Sequence, residues 1–132
     1  MSSEGSDGSQ KYGDEECRRT LGGMVTAAGV DHVRLAYHYL DAGDLEGYGS
    51  LLDEDVELNR PDVPAAHGRD EVIRVHEEGV VPGARHAIDR IVSQGDSVVA
   101  MGRVDGIGFV DVFTLSPDAM LRGCRRYYHV AP

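Results

Sequence analysis

The sequence predicts an α+β domain in which helices pack on one face of a curved antiparallel sheet. Two observations lead to this prediction. Apolar residues recur at helical spacing in three segments before residue 80, and they alternate with polar residues in four segments after it. Short runs of turn residues separate the four alternating segments, as is typical of consecutive antiparallel strands. Helices that precede such strands cover the apolar face of the sheet.

Composition limits the class of protein. The chain has 132 residues, of which 41% are hydrophobic, and this is enough for one packed core. The 23 acidic residues outnumber the 13 basic ones and give a net charge of −10. This charge argues against a nucleic-acid binder or a polybasic membrane-surface protein, since both need a basic face. Because no apolar run approaches the roughly 20 residues of a membrane span, we expect no membrane partner.

The chain divides into two parts of different composition. Residues 1–23 are predicted to be a disordered or loosely attached segment, because the first of them are mostly Ser, Gly and acidic residues. They also lack the apolar stretch of a secretory signal. The domain is predicted to span residues 24–132. The two cysteines, Cys17 and Cys124, do not form a disulfide framework, so we expect a soluble, reduced, cytoplasmic protein.

The first two helices follow directly from periodicity and end signals. Residues at i, i+3, i+7 and i+10 spacing form one apolar face of the first helix, and Gly43 ends it in the left-handed conformation. Asp44 is the expected N-cap of a second, short helix. The apolar face of the first helix comprises Val30, Val33, Tyr37 and Leu40, and that of the second comprises Leu45, Tyr48, Leu51 and Leu52.

The following segments give one strand, one loop and a third helix. Residues 56–59 alternate and predict a short strand, and residues 60–67 hold two prolines and predict a loop. The third helix is predicted over residues 68–79, with Val72, Ile73 and His76 near one face.

Four strands complete the predicted domain. They are expected over residues 84–93, 97–104, 107–115 and 120–130, separated by turns at residues 94–96, 105–106 and 116–118. Asp105 and Gly106 form the strongest hairpin signal of the chain.

Asp111 is the leading candidate for chemistry. It lies between Phe109 and Phe113 on the same face of its strand. Burial there disfavours the charged form of a carboxyl, so Asp111 could donate a hydrogen bond to a developing oxyanion or act as a base. The alternative is a buried structural acid that pairs with an arginine, for which Arg126 on the next strand is the candidate.

Other side chains are candidate contacts for a ligand. Tyr37 and His76 lie on the inward faces of their helices, and Tyr128 has the same parity as Arg126 on the last strand. No glycine-rich phosphate loop and no cluster with metal-ligand spacing occurs. We therefore expect no cofactor and no metal ion.

Several motifs together resemble the nuclear transport factor 2-like superfamily, which includes ketosteroid isomerases, SnoaL-like polyketide cyclases, limonene epoxide hydrolases and scytalone dehydratases. The similar segments are residues 39–47, 51–56, 67–73, 95–99 and 111–113. The resemblance covers residues 24–130. It implies a cone-shaped, curved antiparallel sheet with three N-terminal helices closing a pocket, and a homodimer that forms through the sheet.

The resemblance assigns roles to particular residues. Asp111 falls where ketosteroid isomerases hold their oxyanion-stabilising acid, a carboxyl that its apolar surroundings keep neutral. Arg60 falls where those enzymes hold their base, and arginine cannot accept a proton at neutral pH. In the epoxide hydrolases, Asn59 matches a water-holding asparagine, and Arg103 and Asp105 match an arginine–aspartate pair.

These observations predict a cofactor-free enzyme that performs acid/base chemistry on a small hydrophobic molecule. An isomerase or a cyclase in polyketide or other secondary metabolism is the leading interpretation, with Asp111 as the titrating group. Epoxide opening through Arg103 and Asp105 is one alternative. It requires both side chains to point into the cavity within hydrogen-bond reach. A non-catalytic protein that binds a small molecule is the other.

Overall fold

The computed structural model of the protein describes the backbone of residues 4–79 and 85–129, and the side chains of residues 23–78 and 85–129. The helices and strands follow the predicted order, with one added short strand. They are α1 (Glu4–Ala42), α2 (Leu45–Gly49), β1 (Leu52–Asn59), β2 (Ala66–His67), α3 (Arg69–Gly79), β3 (His86–Gln94), β4 (Ser97–Val104), β5 (Ile107–Leu115) and β6 (Leu121–Tyr128).

The end signals that the sequence contains are confirmed. Gly43 has a φ of +73° after the last residue of α1. Asp44 caps α2, and its carboxylate accepts a hydrogen bond from the backbone N–H of Gly47 at 2.8 Å. Asp105 and Gly106 both have positive φ, at 51° and 81°, as a two-residue hairpin turn requires.

The boundaries of three elements differ from the prediction. The helix α1 begins at Glu4, within the segment that we predicted to be disordered or loosely attached, and the division of the chain after residue 23 stays a prediction. Leu51 and Leu52 were predicted on the second helix, but α2 ends at Gly49 and β1 begins at Leu52. Two adjacent leucines fit a short helix and a buried strand equally well. The predicted ends of β3 and β6 at residues 84 and 130 lie outside the described residues.

The sheet has six strands in the order β2-β1-β6-β5-β4-β3. It is mixed, so the prediction of a purely antiparallel sheet is wrong at one pair. Strands β3 to β6 are antiparallel, whereas β1 runs parallel to β6. The reason is the connection: β3 to β6 follow one another through tight turns, while β2, α3 and the three strands β3 to β5 lie between β1 and β6 along the chain. A parallel pair needs such a long crossover.

The core lies between the helices and one face of this curved, unclosed sheet. Val33 and Tyr37 of α1 and Val72 of α3 are buried against Val98 of β4 and Phe109 of β5. The predicted apolar faces of the first and third helices are therefore confirmed. Among the described residues, no helix is long and apolar enough to cross a membrane.

Candidate functional site

The inner face of β5 carries a buried carboxyl. Asp111 is 1% exposed and lies between the buried rings of Phe109 and Phe113, as the strand parity predicted. The register of the sheet places it opposite Ala100 of β4 and opposite Arg126 of β6. Because Ala100 is small, the space above Asp111 is left to side chains from β6 and α1.

Asp111, Arg126 and Tyr37 form a closed set of hydrogen bonds, which we call the inner network. The Nε and Nη2 groups of Arg126 donate to the two carboxylate oxygens of Asp111 at 2.7 and 2.8 Å. The hydroxyl of Tyr37 donates to Oδ2 at 2.6 Å. Of the two interpretations of Asp111, the structure therefore shows the ion pair with Arg126. A carboxylate held on one edge of a guanidinium is an anion, not an isolated neutral acid.

The electrostatics of the inner network fix the protonation states of Arg126 and Tyr37. Burial works to lower the pKa of Arg126, but the hydrogen bonds and negative charge of Asp111 outweigh it, and the pKa is raised. Burial, together with the charge of Asp111 and the hydrogen bond to it, also raises the pKa of Tyr37. Tyr37 therefore stays protonated and Arg126 stays charged.

A second, similar set of residues lies nearer the surface, and we call it the outer network. Arg60 donates from Nε and Nη2 to the two carboxylate oxygens of Asp62 at 3.1 and 2.8 Å. Its Nη2 also donates to the hydroxyl of Tyr128 at 3.0 Å, and that hydroxyl donates to Asp62 at 3.3 Å. Although burial opposes both shifts, the contact between the two charges raises the pKa of Arg60 and lowers that of Asp62.

Aromatic rings connect the two networks. The guanidinium carbon of Arg126 lies 4.3 Å from the centre of the Phe109 ring and 5.7 Å from the centre of the Tyr128 ring. Such cation–π contacts are favourable, and more so where water is excluded. Arg126 therefore has a counter-charge on one edge and two aromatic rings within cation–π distance.

The inner network fills most of the space where a pocket was expected. The interior cavity among α1, α3 and the sheet has a volume of about 20 Å³, which is room for about one water molecule. A much larger groove of about 620 Å³ opens beside it, and we call this the mouth groove. Its lining comprises Asn59, Arg60, Pro61, Asp62, Ala65, Arg125, Arg126, Tyr127 and Tyr128. Arg60 and Arg126 line both spaces.

His76 of α3 faces the interior cavity, as predicted for a pocket residue. It is 7% exposed, and its Nε2 is the only buried side-chain nitrogen or oxygen without a hydrogen-bond partner among the described residues. Burial, and then the positive charges of Arg60 and Arg126, lower the pKa of His76 to about 4. The imidazole is thus neutral at neutral pH. Its ring packs edge-on against Tyr48, with 4.8 Å between ring centres.

A histidine–aspartate pair joins the end of α1 to the start of β3. Nδ1 of His86 lies 2.6 Å from Oδ1 of Asp41, and the backbone N–H of His86 donates to both carboxylate oxygens. The His86 side chain is 10% exposed. Its ring centre lies 5.1 Å from that of Tyr37 and 5.7 Å from that of Phe109. Within the described part of the chain, Nε2 of His86 makes no hydrogen bond, so Asp41 holds the ring and leaves one nitrogen available.

All these groups lie at the same end of the sheet. His86 starts β3 opposite Val104, the last residue of β4, and Phe109 pairs with Tyr128, the last residue of β6. β1 ends at Asn59, which pairs with Arg125. The mouth groove, the inner network and the histidine–aspartate pair therefore lie at the same end of the strands. The inner network on β5 and β6 lies between the groove beside β1 and the pair on β3.

The structure corrects the prediction for Arg103 and Asp105. Arg103 projects from the outer face of β4, is 63% exposed at its side chain and lies 3.7 Å from Asp89. Asp105 is exposed at the β4–β5 turn. Side chains alternate between the two faces of β4, so Arg103 points to the face opposite the interior. Asp105 lies in the hairpin turn, where its side chain points to solvent. Neither side chain points into the cavity, so epoxide opening through this pair is contradicted. Asn59 does line the mouth groove.

Sequence reasoning missed Asp62 and Asp41. The Arg60-x-Asp62 spacing gives a local signal for the outer network, since both belong to one loop. Nothing local indicates that Asp41 meets His86, because 45 residues separate them.

Among the described residues, no three His, Cys, Asp or Glu side chains come together in a way that could hold a metal ion. That the protein needs no cofactor stays a prediction.

Comparisons with known proteins agree with this architecture. A family model described as a SnoaL-like domain matches residues 18–127. No curated protein matches the chain. A candidate ketosteroid isomerase from Kribbella flavida DSM 17836 has a similar structure, with a TM-score of 0.72, 17% identity, and coverage of 81% of this chain and 82% of that one.

Two further structures have the same fold. A SnoaL-like protein of unknown function from Burkholderia thailandensis E264 gives a TM-score of 0.71 at 19% identity, with coverage of 79% of this chain and 97% of the other. SalBIII, an epoxide hydrolase/cyclase-like enzyme in pyran ring formation in polyether salinomycin, gives 0.70 at 16% identity, with coverage of 79% and 92%. At these identities the similarity establishes the fold, and the activity must be argued from the side chains.

Proposed function

The chain belongs to the SnoaL-like domain family, and from that membership we propose that it is a cofactor-free enzyme for acid/base chemistry on a small, largely apolar molecule. The family fold is used by isomerases, cyclases and epoxide hydrolases. The observation that favours acid/base chemistry is the Asp41–His86 pair beside the inner network. The ring of His86 is held by a carboxylate and contacts Tyr37 and Phe109, which in turn contact Asp111 and Arg126. A base oriented by a third group, with a positive charge in the same site, is the arrangement that proton abstraction requires.

We assign the role of base to His86 and not to Asp111. Histidine is the side chain that most often serves as a general base, because it can both accept and return a proton. Asp41 accepts the Nδ1–H and so directs the lone pair to Nε2. Asp111, by contrast, is fully engaged by Arg126 and Tyr37, and protonating it would leave the buried Arg126 without a counter-charge.

The proposed reaction is a proton transfer at carbon. His86 Nε2 takes a proton from a carbon next to a carbonyl, and the electron pair moves to the carbonyl oxygen to give an enolate. The positive charge of Arg126 stabilises that oxyanion. In an unsaturated ketone, return of the proton from His86 to the far carbon of the conjugated enolate gives an isomer. Attack of the enolate carbon on a second carbonyl of the same molecule gives a ring, and the alkoxide that forms there takes the proton back from His86. The interior cavity holds only about one water-sized group, so the body of the substrate lies in the mouth groove. Its reacting end extends past Arg126 and Phe109 to His86, which lines neither space.

Hydrogen–deuterium exchange tests the proposal without knowledge of the natural substrate. We expect the protein to speed the exchange of the α-hydrogens of some small cyclic ketones in D2O, measured by proton NMR. His86→Gln should lower this rate by about 100-fold or more, and Asp41→Asn by a smaller factor, because it removes only the positioning of the ring. His38→Gln and Asp31→Asn change exposed residues of α1, the helix that also carries Asp41. Both variants should leave the rate unchanged.

A second candidate is a protein that binds a small molecule without transforming it. The neutralised charge of Asp111 favours this candidate, since the inner network would then only hold the fold together. If no ketone of the set exchanges faster with protein than without it, or if His86→Gln leaves the rate unchanged, the enzyme proposal is wrong. Retained binding with no exchange would then support the binding protein.

A further inference from the structure

The mouth groove exists because two neighbouring strands have different lengths. β1 ends at Asn59, where it pairs with Arg125, while β6 continues to Tyr128. The chain after β1 turns away through Arg60 and Pro61 and leaves a gap beside the last three residues of β6. The groove is open to solvent and holds a volume of about 620 Å³, which is within the size range of small-molecule sites.

The charge of the groove is opposite to that of the chain. The protein has a net charge of −10, yet the groove is lined by three arginines and one carboxylate. Asp111 neutralises Arg126 and Asp62 neutralises Arg60. Arg125 is exposed and has no ion pair within the described residues. The lining with its partners therefore has one uncompensated positive charge.

The buried arginines also have hydrogen-bond donors to spare. A guanidinium carries five N–H donors. Arg60 uses its Nε and Nη2 edge on Asp62 and Tyr128, and Arg126 uses the same edge on Asp111. Nη1 of Arg60 makes no hydrogen bond in the part of the chain that the structure describes. A ligand that brings oxygen acceptors would satisfy these donors, and an anionic acceptor would gain most.

The rest of the lining suits an apolar body. The rings of Tyr127 and Tyr128 and the side chains of Pro61 and Ala65 contribute apolar surface, and Tyr127 is 53% exposed. We propose that the mouth groove binds an apolar molecule that carries a carboxylate, which is held by Arg60 and Arg125. The proposal rests on the proposed function only in taking the groove as the substrate site.

A matched pair of probes tests this inference by binding alone. Naphthoate and its neutral amide, naphthamide, have the same shape and differ in charge. By titration calorimetry we expect naphthoate to bind about tenfold or more tightly than naphthamide. Arg125→Gln and Arg60→Gln should each remove most of that preference. Arg90→Gln, which removes an exposed arginine of β3 outside the groove, should keep it.

Equal affinities for the two probes, or no binding of either, would overturn the inference. So would a loss of preference in Arg90→Gln as large as that in Arg125→Gln, since the effect would then come from overall charge. Arg60→Lys is the control for misfolding, because lysine keeps the positive charge but lacks the paired N–H donors of a guanidinium. The carboxylate preference needs no turnover. The protein can therefore lack the carboxylate preference and still show His86-dependent exchange, or show the preference without that exchange.

Discussion

At the scale of single residues, the buried pair of Asp111 and Arg126 determines what the interior can do. Each side chain is at most 7% exposed, so each charge depends on the other. A buried ion pair adds little stability compared with apolar residues of the same size, but breaking it leaves a charge in a dry environment. The pair is thus better explained by a role in the site than by a role in folding.

We predict that Asp111→Asn lowers the free energy of unfolding by about 3 kcal/mol or more, because it leaves the buried charge of Arg126 without a counter-charge. The triple variant Asp111→Leu, Arg126→Met and Tyr37→Phe removes both charges and the hydroxyl that would lose its acceptor. It should recover most of the loss. Urea denaturation measures both. A triple variant no more stable than the single one would show that the network itself stabilises the fold.

We also predict that His76 makes stability depend on pH. Its pKa is about 4 in the folded protein, against 6.5 as the ordinary value. At pH values between these two numbers, His76 therefore binds a proton in the unfolded chain but not in the folded one. Stability falls as the pH drops from about 6.5 to about 4, by about 3 kcal/mol in all.

Urea denaturation at neutral pH and near pH 4 measures this effect. His76→Phe keeps a ring against Tyr48 and should lose this part of the pH dependence, whereas His38→Gln should retain it. The same pH dependence in His76→Phe and in the wild type would exclude His76 as its source.

At the scale of elements, local patterns predicted the helices and the strands after residue 84 well. Alternation on β5 placed Asp111 inward, and the same parity on β6 placed Arg126 and Tyr128 beside it. The parallel pairing of β1 with β6 left no local signal, because it joins residues far apart in sequence. For the same reason the contacts that build the site, from Asp41 to His86 and from Tyr37 to Asp111, could not be inferred from spacing.

The packing of β3 on β4 gives a prediction at this scale. A side-chain carbon added at Gly102 would lie 2.1 Å from the carbonyl oxygen of Ala87, the residue after His86. Backbone cannot yield as a side chain can, so Gly102→Ala should lower the free energy of unfolding by about 2 kcal/mol or more. It should also shift the NMR signals of His86.

Gly108→Ala on β5 is the matched control for this prediction. An added carbon there would lie 3.3 Å from the Cβ of His129 and 4.0 Å from the carbonyl oxygen of Gly102, so it should cost less. Equal losses of stability in the two variants would contradict the argument.

At the scale of the whole molecule, the homodimer that the family resemblance implies stays a prediction. The outer face of the sheet carries half-buried Val99, Met101, Val110 and Val112. We expect sedimentation to give twice the chain mass, and Val110→Glu, which places a charge on that face, to give the single chain. A wild-type protein that sediments as a monomer at high concentration would contradict the dimer.

The arginine-lined mouth groove within an acidic protein has a consequence for the speed of binding. An anion that approaches from a distance meets the repulsive field of the net charge of −10 before it meets Arg60 or Arg125. Dissolved salt screens the distant field more than the contact inside the groove. Encounter with an acidic ligand should therefore be slow in dilute buffer and faster at physiological ionic strength, and a neutral ligand should be captured at a rate that salt hardly changes.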